Sequence, residues 1–323
     1  MSVLILVEHD QGAPAPSAAE ALTAGRELAS HLGVEPIAVV AGSDTEDVTG
    51  FAATHGVTRT MVADLETVGD YAPEAWASVL ASAMETTGAD VVMTAGTDRG
   101  NEVLAHLGAL SGLPFVANCT GVAPGEPWMM TRVRWGGSLL EEASLDATTK
   151  IYSTAPHSVE PHPQSVEGTI EPLSVVIGDK ESRVVVKERI GAAEGVTLAT
   201  APVVISGGRG VGSPEGFAPL EALAGLLGGI VGCSRVVTNS GWRPHSDQVG
   251  QTGTVVAPDV YIACGISGAI QHWVGMMNAK TVVAINTDAQ APMVTKSDYA
   301  IVGDLHEIVP AIVAAVESRK TST

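Results

Sequence analysis

Val260-Tyr261-Ile262-Ala263-Cys264-Gly265-Ile266-Ser267-Gly268-Ala269-Ile270-Gln271-His272 opens a run of residues, 260–279, that contains no Asp, Glu, Lys or Arg. A hydropathy scan alone would take it for a membrane span. Gly265, Ser267, Gly268, Gln271 and His272 interrupt it, however, and a spanning helix would have to hide those polar groups in lipid. The run reads better as a strand over Val260–Ala263, a tight turn over Cys264–Gly268 and a buried helix over Ala269–Met277. Its neighbours repeat the pattern. Pro202–Ile205 is a strand ended by Ser206-Gly207-Gly208-Arg209-Gly210, and a helix follows over Ala218–Leu227. Thr281–Asn286 and Tyr299–Val302 are further strands. Asp304 and Glu307 can cap the last helix, where Pro310 fits only an early turn. Strand–turn–helix repetition of this kind predicts a parallel sheet covered on both faces.

The first half alternates in the same way. The apolar run Val3–Val7 reads as a first strand, since Met1–Glu8 has no basic segment of the kind a signal peptide needs. Ser17-Ala18-Ala19-Glu20 has the spacing of a capping box, opening a helix that stops at Gly33. Pro36–Ala41, Thr58–Ala63 and Asp90–Thr94 are strands, with helices over Pro73–Thr87 and Asn101–Leu110. From about Met129 the pattern changes to short β-rich runs, Met129–Trp135, Lys150–Ser153, Leu173–Ile177 and Arg183–Lys187, broken by Gly and Pro. These predict an antiparallel extension that closes the first domain.

A length of 323 residues fits two domains at ~150 residues each. Charge places the boundary. Up to Gly191 the chain has 10 basic and 26 acidic residues, and from Ala192 onward 7 and 10. Domains 1–191 and 192–323 are therefore expected, with a linker near Ile190–Thr200 and Gly191 and Gly195 as hinges. A net charge of −19 argues against a nucleic-acid partner, whose phosphates must be met by Lys and Arg. Few aromatics leave no stacking platform for single strands. Cys119, Cys233 and Cys264 are widely spaced and odd in number, so neither a disulfide framework nor a cysteine zinc site is expected. His157 and His162 lack the partners of a metal site. The sequence predicts a soluble, cytoplasmic protein.

Three segments carry candidate chemistry. In Gly207-Gly208-Arg209-Gly210-Val211-Gly212, glycines after a strand allow close backbone approach and Arg209 adds a cation. It is neither G-x-G-x-x-G nor a Walker loop. Cys264-Gly265-Ile266-Ser267-Gly268 is G-x-S-G rather than the G-x-S-x-G of a nucleophile elbow, and reads as a second anion cradle or as a turn that needs small residues. Asp247-Gln248-Val249-Gly250-Gln251-Thr252-Gly253 is rich in neutral donors and acceptors that suit a heterocycle edge, and alone would pass for a polar loop. His272, at the start of an apolar helix, would alone be read as a satisfied core residue.

Taken in order, Arg209, Cys233-Ser234-Arg235, Gln248-Val249-Gly250-Gln251-Thr252-Gly253, Gly265-Ile266-Ser267-Gly268-Ala269-Ile270-Gln271-His272, Ala284-Ile285-Asn286 and Gly303-Asp304 closely resemble the FAD-binding domain of the electron transfer flavoprotein alpha subunit. The resemblance is dense over Val203–Pro310. Residues 1–190 resemble the family loosely, at Ala95–Asn101 and at Arg134-Trp135-Gly136-Gly137. It implies an α/β protein of two domains, a parallel-sheet N-terminal domain with an antiparallel extension and a C-terminal Rossmann-like or flavodoxin-like domain holding one non-covalent FAD.

By that resemblance Arg235 lies over the isoalloxazine near N5 and C4a, Thr252 bonds the N5 region, and His272 approaches the pyrimidine O2. Ser234, Ser267 and the turn Gly268-Ala269-Ile270-Gln271 would contact pyrophosphate and ribityl. Asn286 and Asp304 would lie toward the adenosine, with Arg209, Gln248, Val249, Gly250, Gln251 and Leu305 completing the set. Thr254 and Thr287 stand where the family commonly has Lys, and Ala105-His106 where it has a Pro-Arg pair. The implied function is a one-electron carrier without substrate turnover, paired as a heterodimer with a beta subunit. It would take electrons from acyl-CoA or other flavin dehydrogenases and pass them to a membrane quinone oxidoreductase, without inserting in the membrane itself. Two alternatives remain open at this point, a bifurcating or nitrogen-fixation-type relative that oxidises NADH, and an NAD-dependent oxidoreductase on a similar domain.

Overall fold

Ser2–Leu6, five consecutive buried residues, form strand β1 in the middle of a nine-stranded sheet. A strand covered on both faces needs an unbroken apolar run rather than an alternating one, and Ser-Val-Leu-Ile-Leu supplies it. The structure is a computed structural model that describes residues 2–43, 45–65, 71–135, 139–187 and 196–320. It divides into two units, Met1–Arg134 with Leu140–Ile190, and Trp135–Leu139 with Gly191–Thr323.

In the first unit, β1 is followed by α1 (Pro16–Leu32), β2 (Glu35–Gly42), α2 (Glu46–Thr54), β3 (Arg59–Asp64), α3 (Pro73–Thr87), β4 (Val91–Ala95), α4 (Asp98–Ser111), β5 (Phe115–Ala123), β6 (Trp128–Arg134), β7 (Leu139–Leu145), β8 (Lys150–Thr154) and β9 (Thr169–Pro172). The sheet order is β9-β3-β2-β1-β4-β8-β5-β6-β7. Every pairing from β9 to β5 is parallel, and β6 returns antiparallel to β5. Apolar clusters fill both faces, with the fully buried Trp76 of α3 on one and Leu22 of α1 on the other. Pro73 opens α3 at its first turn and Gly88 closes it in the left-handed conformation, the Pro-in, Gly-out asymmetry expected of a helix.

Three expectations need correction. Lys150–Thr154 is not part of an antiparallel extension. It lies between β4 and β5 and is parallel to both, because its buried Ile-Tyr-Ser-Thr face needs cover on two sides. Leu173–Ile177 and Arg183–Lys187 form no strand. Instead Thr169–Pro172 pairs with β3, and the chain then leaves the edge at Leu173, whose N–H still donates to the Val62 carbonyl. Ser17 and Glu20 do not make a capping box. Pro16 starts α1 with Ala15 as its N-cap, and the Glu20 carboxylate is buried, accepting the His157 N–H at 2.7 Å.

The second unit runs β10 (Val203–Gly207), α5 (Ala218–Leu227), β11 (Ile230–Cys233), α6 (Arg235–Asn239), β12 (Val260–Cys264), α7 (Ile270–Trp273), β13 (Thr281–Asn286), α8 (Pro292–Lys296), β14 (Tyr299–Val302) and α9 (Leu305–Lys320). Its five strands are all parallel in the order β11-β10-β12-β13-β14. Chain order reverses between β10 and β12, so a crevice opens at their carboxyl ends, the place where open parallel sheets bind ligands. Asp304 caps α9, its Oδ1 accepting the His306 N–H at 2.9 Å, and Pro310 stands inside that helix. The expected helix over Ala269–Met277 is shortened to Ile270–Trp273. Gly275 turns out of it so that its carbonyl can accept from Val256. A Cβ at Gly275 would stand 2.3 Å from the Gly250 Cα, so the two backbones touch.

Among the described residues no helix is long and apolar enough to cross a membrane. The expected hinge glycines, Gly191 and Gly195, lie outside the described residues.

Candidate functional site

Two glycine loops meet over the crevice. A Cβ on Gly208, after β10, would lie 2.3 Å from the Gly265 carbonyl oxygen, after β12. Glycine at both positions lets the loops touch, and Gly208 N–H donates to the Cys264 carbonyl at 2.9 Å. The junction separates two adjoining cavities of about 450 and 400 Å³, which share Arg209, Gly265 and Ser267.

The larger cavity gathers most of the expected residues. Arg209, Ser234, Arg235, Gln248, Val249, Gly250, Thr252, Ser267, Ala269, Gln271 and His272 line it. The smaller is lined by Asn286, Asp304 and Leu305, with Gly210, Thr287 and Asp288. Three expected residues line neither. Gln251 donates from Nε2 to the Trp135 carbonyl at 3.0 Å. Gly268 packs against Met293, whose N would be 2.3 Å from an added Cβ. Ile270 begins α7, 46% exposed. The motif reading missed Val236 and Asn239. Asn239 follows Arg235 by four residues on α6, a spacing that puts both on one helix face and could have flagged it.

Local bonding sets what each side chain can still offer. Buried Gln248 accepts from Thr238 Oγ1 at 2.7 Å through Oε1 and donates from Nε2 to Thr252 Oγ1 at 2.9 Å. Its amide is therefore engaged between α6 and its own loop, and Thr252 is left with a hydroxyl hydrogen to give. Asn286 is engaged likewise, its Nδ2 donating to the Ile266 carbonyl and its Oδ1 accepting from Asp288 N–H. Arg235 is exposed at the start of α6, lines the larger cavity, and makes no ion pair or side-chain hydrogen bond among the described residues. His272 is 7% exposed, and Tyr261 Oη lies 2.8 Å from its Nε2. Its Nδ1 is buried without a partner. Burial holds the imidazole down to about 4, against a weaker opposing pull from the Val249 backbone, so at neutral pH it is an uncharged group. Burial also pushes the Cys264 thiol up to about 12, which makes it no nucleophile.

The arrangement is an anion-tolerant groove: two arginines, a hydroxyl donor and a neutral imidazole around one cavity, and a helix start at the other. Among the described residues no three His, Cys, Asp or Glu side chains gather as a metal site. An elongated dinucleotide with an electron-rich heterocycle fits these donors. The orphaned His272 Nδ1 wants a partner.

Comparison with known proteins points the same way. Residues 197–277 match the electron transfer flavoprotein FAD-binding domain, and residues 3–180 match the electron transfer flavoprotein domain. The chain is 37% identical over 324 residues to the electron transfer flavoprotein subunit alpha of Mycobacterium tuberculosis strain H37Rv, covering 98% of this chain and 99% of that one. It is 35% identical over 322 residues to the protein of the same name from Mycobacterium leprae, covering 98% of each. It is also 31% identical over 318 residues to Protein FixB of Clostridium saccharobutylicum, covering 97% of this chain and 95% of that one.

Proposed function

This chain belongs to the electron transfer flavoprotein alpha-subunit family, and we propose that it works as a one-electron carrier in a heterodimer with a beta subunit. Its cofactor is FAD, held by the C-terminal unit. Electrons would come from acyl-CoA or other flavin dehydrogenases and leave toward a quinone oxidoreductase, with the chain working in the cytoplasm. The chain would turn over no substrate of its own. The five parallel strands in the order 2-1-3-4-5 support a flavodoxin-like reading of this unit.

The observation that carries the reading is the convergence of Arg235, Thr252 and His272 on one cavity at the switch point. FAD supplies the reversible uptake of electrons; the protein supplies binding, orientation and electrostatics. Arg235 would place a fixed positive charge beside the ring system. Thr252, held by Gln248, would donate its hydroxyl hydrogen to a ring acceptor. His272 would offer an N–H without adding charge. Arg209 and Ser267, common to both cavities, would bridge the ring end and the nucleotide end through the pyrophosphate. Asn286 and Asp304, whose polar atoms already hold the loop and the helix start, would shape the adenosine end rather than bind it through free donors.

Co-purification with the beta subunit, with FAD and AMP counted per heterodimer, tests this. The expected result is one FAD for the alpha chain and no bleaching by NADH alone. Rapid bleaching by NADH would replace this reading with the NADH-oxidising one, and absence of flavin would remove both.

A further inference from the structure

Tyr261 sits second in β12, between Val204 and Val282 of the neighbouring strands, with its ring fully buried. Strand alternation accounts for the ring as core. It does not account for the hydroxyl, because a phenol buried in a parallel sheet must find a partner. The partner is His272 Nε2 at 2.8 Å, across rings 6.1 Å apart and inclined at 58°. We propose that Tyr261 is a positioning residue, whose hydroxyl donates to His272 Nε2 and so fixes the imidazole with its proton on Nδ1, the nitrogen that offers a donor to the cavity ligand.

Donor and acceptor follow from the surroundings. Burial drives the Tyr261 phenol far above its ordinary range, so it keeps its proton. The buried Ser206 hydroxyl makes no hydrogen bond, and the hydrogen bond found for the phenol among the described residues is the one to His272. The phenol hydrogen is thus directed to Nε2. In the reverse tautomer Nε2–H would donate to the phenol oxygen, which would leave two buried groups unpaired, the phenol hydrogen and the Nδ1 lone pair. Buried polar groups left unpaired are costly, which favours the arrangement with one donor kept for a ligand. A hydrogen-bonded partner on the second imidazole nitrogen is the general device for fixing a histidine tautomer. In this site it converts an uncharged ring into an obligate donor. The role toward a flavin rests on the function proposed above; the tautomer itself does not.

The test is ¹⁵N NMR of the imidazoles in the full chain with its partner subunit, with FAD stripped and restored. Nine histidines are present, and His272→Gln assigns the signal of interest by its loss. The wild-type spectrum should show a protonated Nδ1 and a bare Nε2 at His272 in the flavin-free protein, and a change at Nδ1 when FAD is added. Tyr261→Phe should move His272 to the opposite or a mixed tautomer and weaken FAD binding roughly five-fold. In the His272→Gln background the same change should weaken binding no further, since the two act as a unit. A protonated Nε2 in the wild type overturns the proposal, even if Tyr261→Phe does not fold. So does an unchanged tautomer in Tyr261→Phe, or fully additive losses. A correct tautomer that ignores FAD leaves the Tyr261–His272 relation standing and overturns its role toward the flavin.

Discussion

Gln248 and Thr252 are joined side chain to side chain, the amide Nε2 donating to the hydroxyl oxygen at 2.9 Å while the amide oxygen accepts from Thr238 at 2.7 Å. A polar loop with few apolar anchors is thereby tied to α6 and given one shape. Gln248→Leu removes both bonds; the Thr238 hydroxyl keeps the Arg235 carbonyl at 3.0 Å as an acceptor, and Thr252 loses the donor that holds it. The expected cost is about 1–3 kcal/mol of stability, together with weaker FAD binding through the loosened Thr252. Urea denaturation and flavin titration would read the two effects; unchanged FAD affinity would remove the loop's positioning role.

Glycine substitutions separate contact from freedom. Gly275→Ala drives a Cβ into the Gly250 backbone, so the loop that carries Gln248 and Thr252 must move away from α7. Overpacking of this kind costs typically 1–3 kcal/mol or more, and FAD binding should be lost with it. Gly225, exposed on α5 with nothing within 4 Å of an added Cβ, is the control. Gly225→Ala should stabilise the chain by about 0.4–1 kcal/mol and leave FAD binding alone. Thermal denaturation with and without FAD measures both.

Acid should weaken the C-terminal unit through His272. Its ordinary value near 6.5 is pushed down to about 4 by burial, so on lowering the pH the unfolded chain takes a proton first. The neutral, buried state is fully favoured above about 6.5, and the advantage is lost as pH falls toward 4, at most about 3 kcal/mol in all. His272→Gln should flatten that part of the stability profile, measured by urea midpoints between pH 7 and 4. An equal slope in wild type and variant would contradict the burial of a neutral imidazole.

Much of the fold was legible because local rules agree with the whole. Pro73 and Gly88 bound a helix in sequence and in space, and Val282–Ile285 is an unbroken apolar run whose residues pack into apolar clusters on both faces of the sheet. Strand direction was not legible. Lys150–Thr154 has the same period whether its neighbours run with it or against it, and only the long-range pairing with Val91–Ala95 and Phe115–Ala123 decides. Glu20 misled because a capping-box spacing says nothing of a partner 137 residues away, at His157. At the site, motif order brought Arg235, Thr252 and His272 together, whereas Tyr261 reads as one more core residue of a strand. Its hydroxyl becomes informative only when its distance to His272 is known.

The claim that the cavity beneath Arg235 holds and tunes the flavin is tested most directly by anaerobic redox titration of the FAD-loaded heterodimer, wild type against Arg235→Ala. A charge-assisted hydrogen bond of roughly 1.5–3 kcal/mol corresponds to about 60–130 mV for one electron. Arg235 is exposed in the free chain, so solvent screening places the expected fall in the first potential near the lower end, about 60 mV. Arg235→Lys should fall between the two, keeping charge without the planar guanidinium. A flavin-loaded Arg235→Ala protein with an unshifted potential would place the flavin elsewhere.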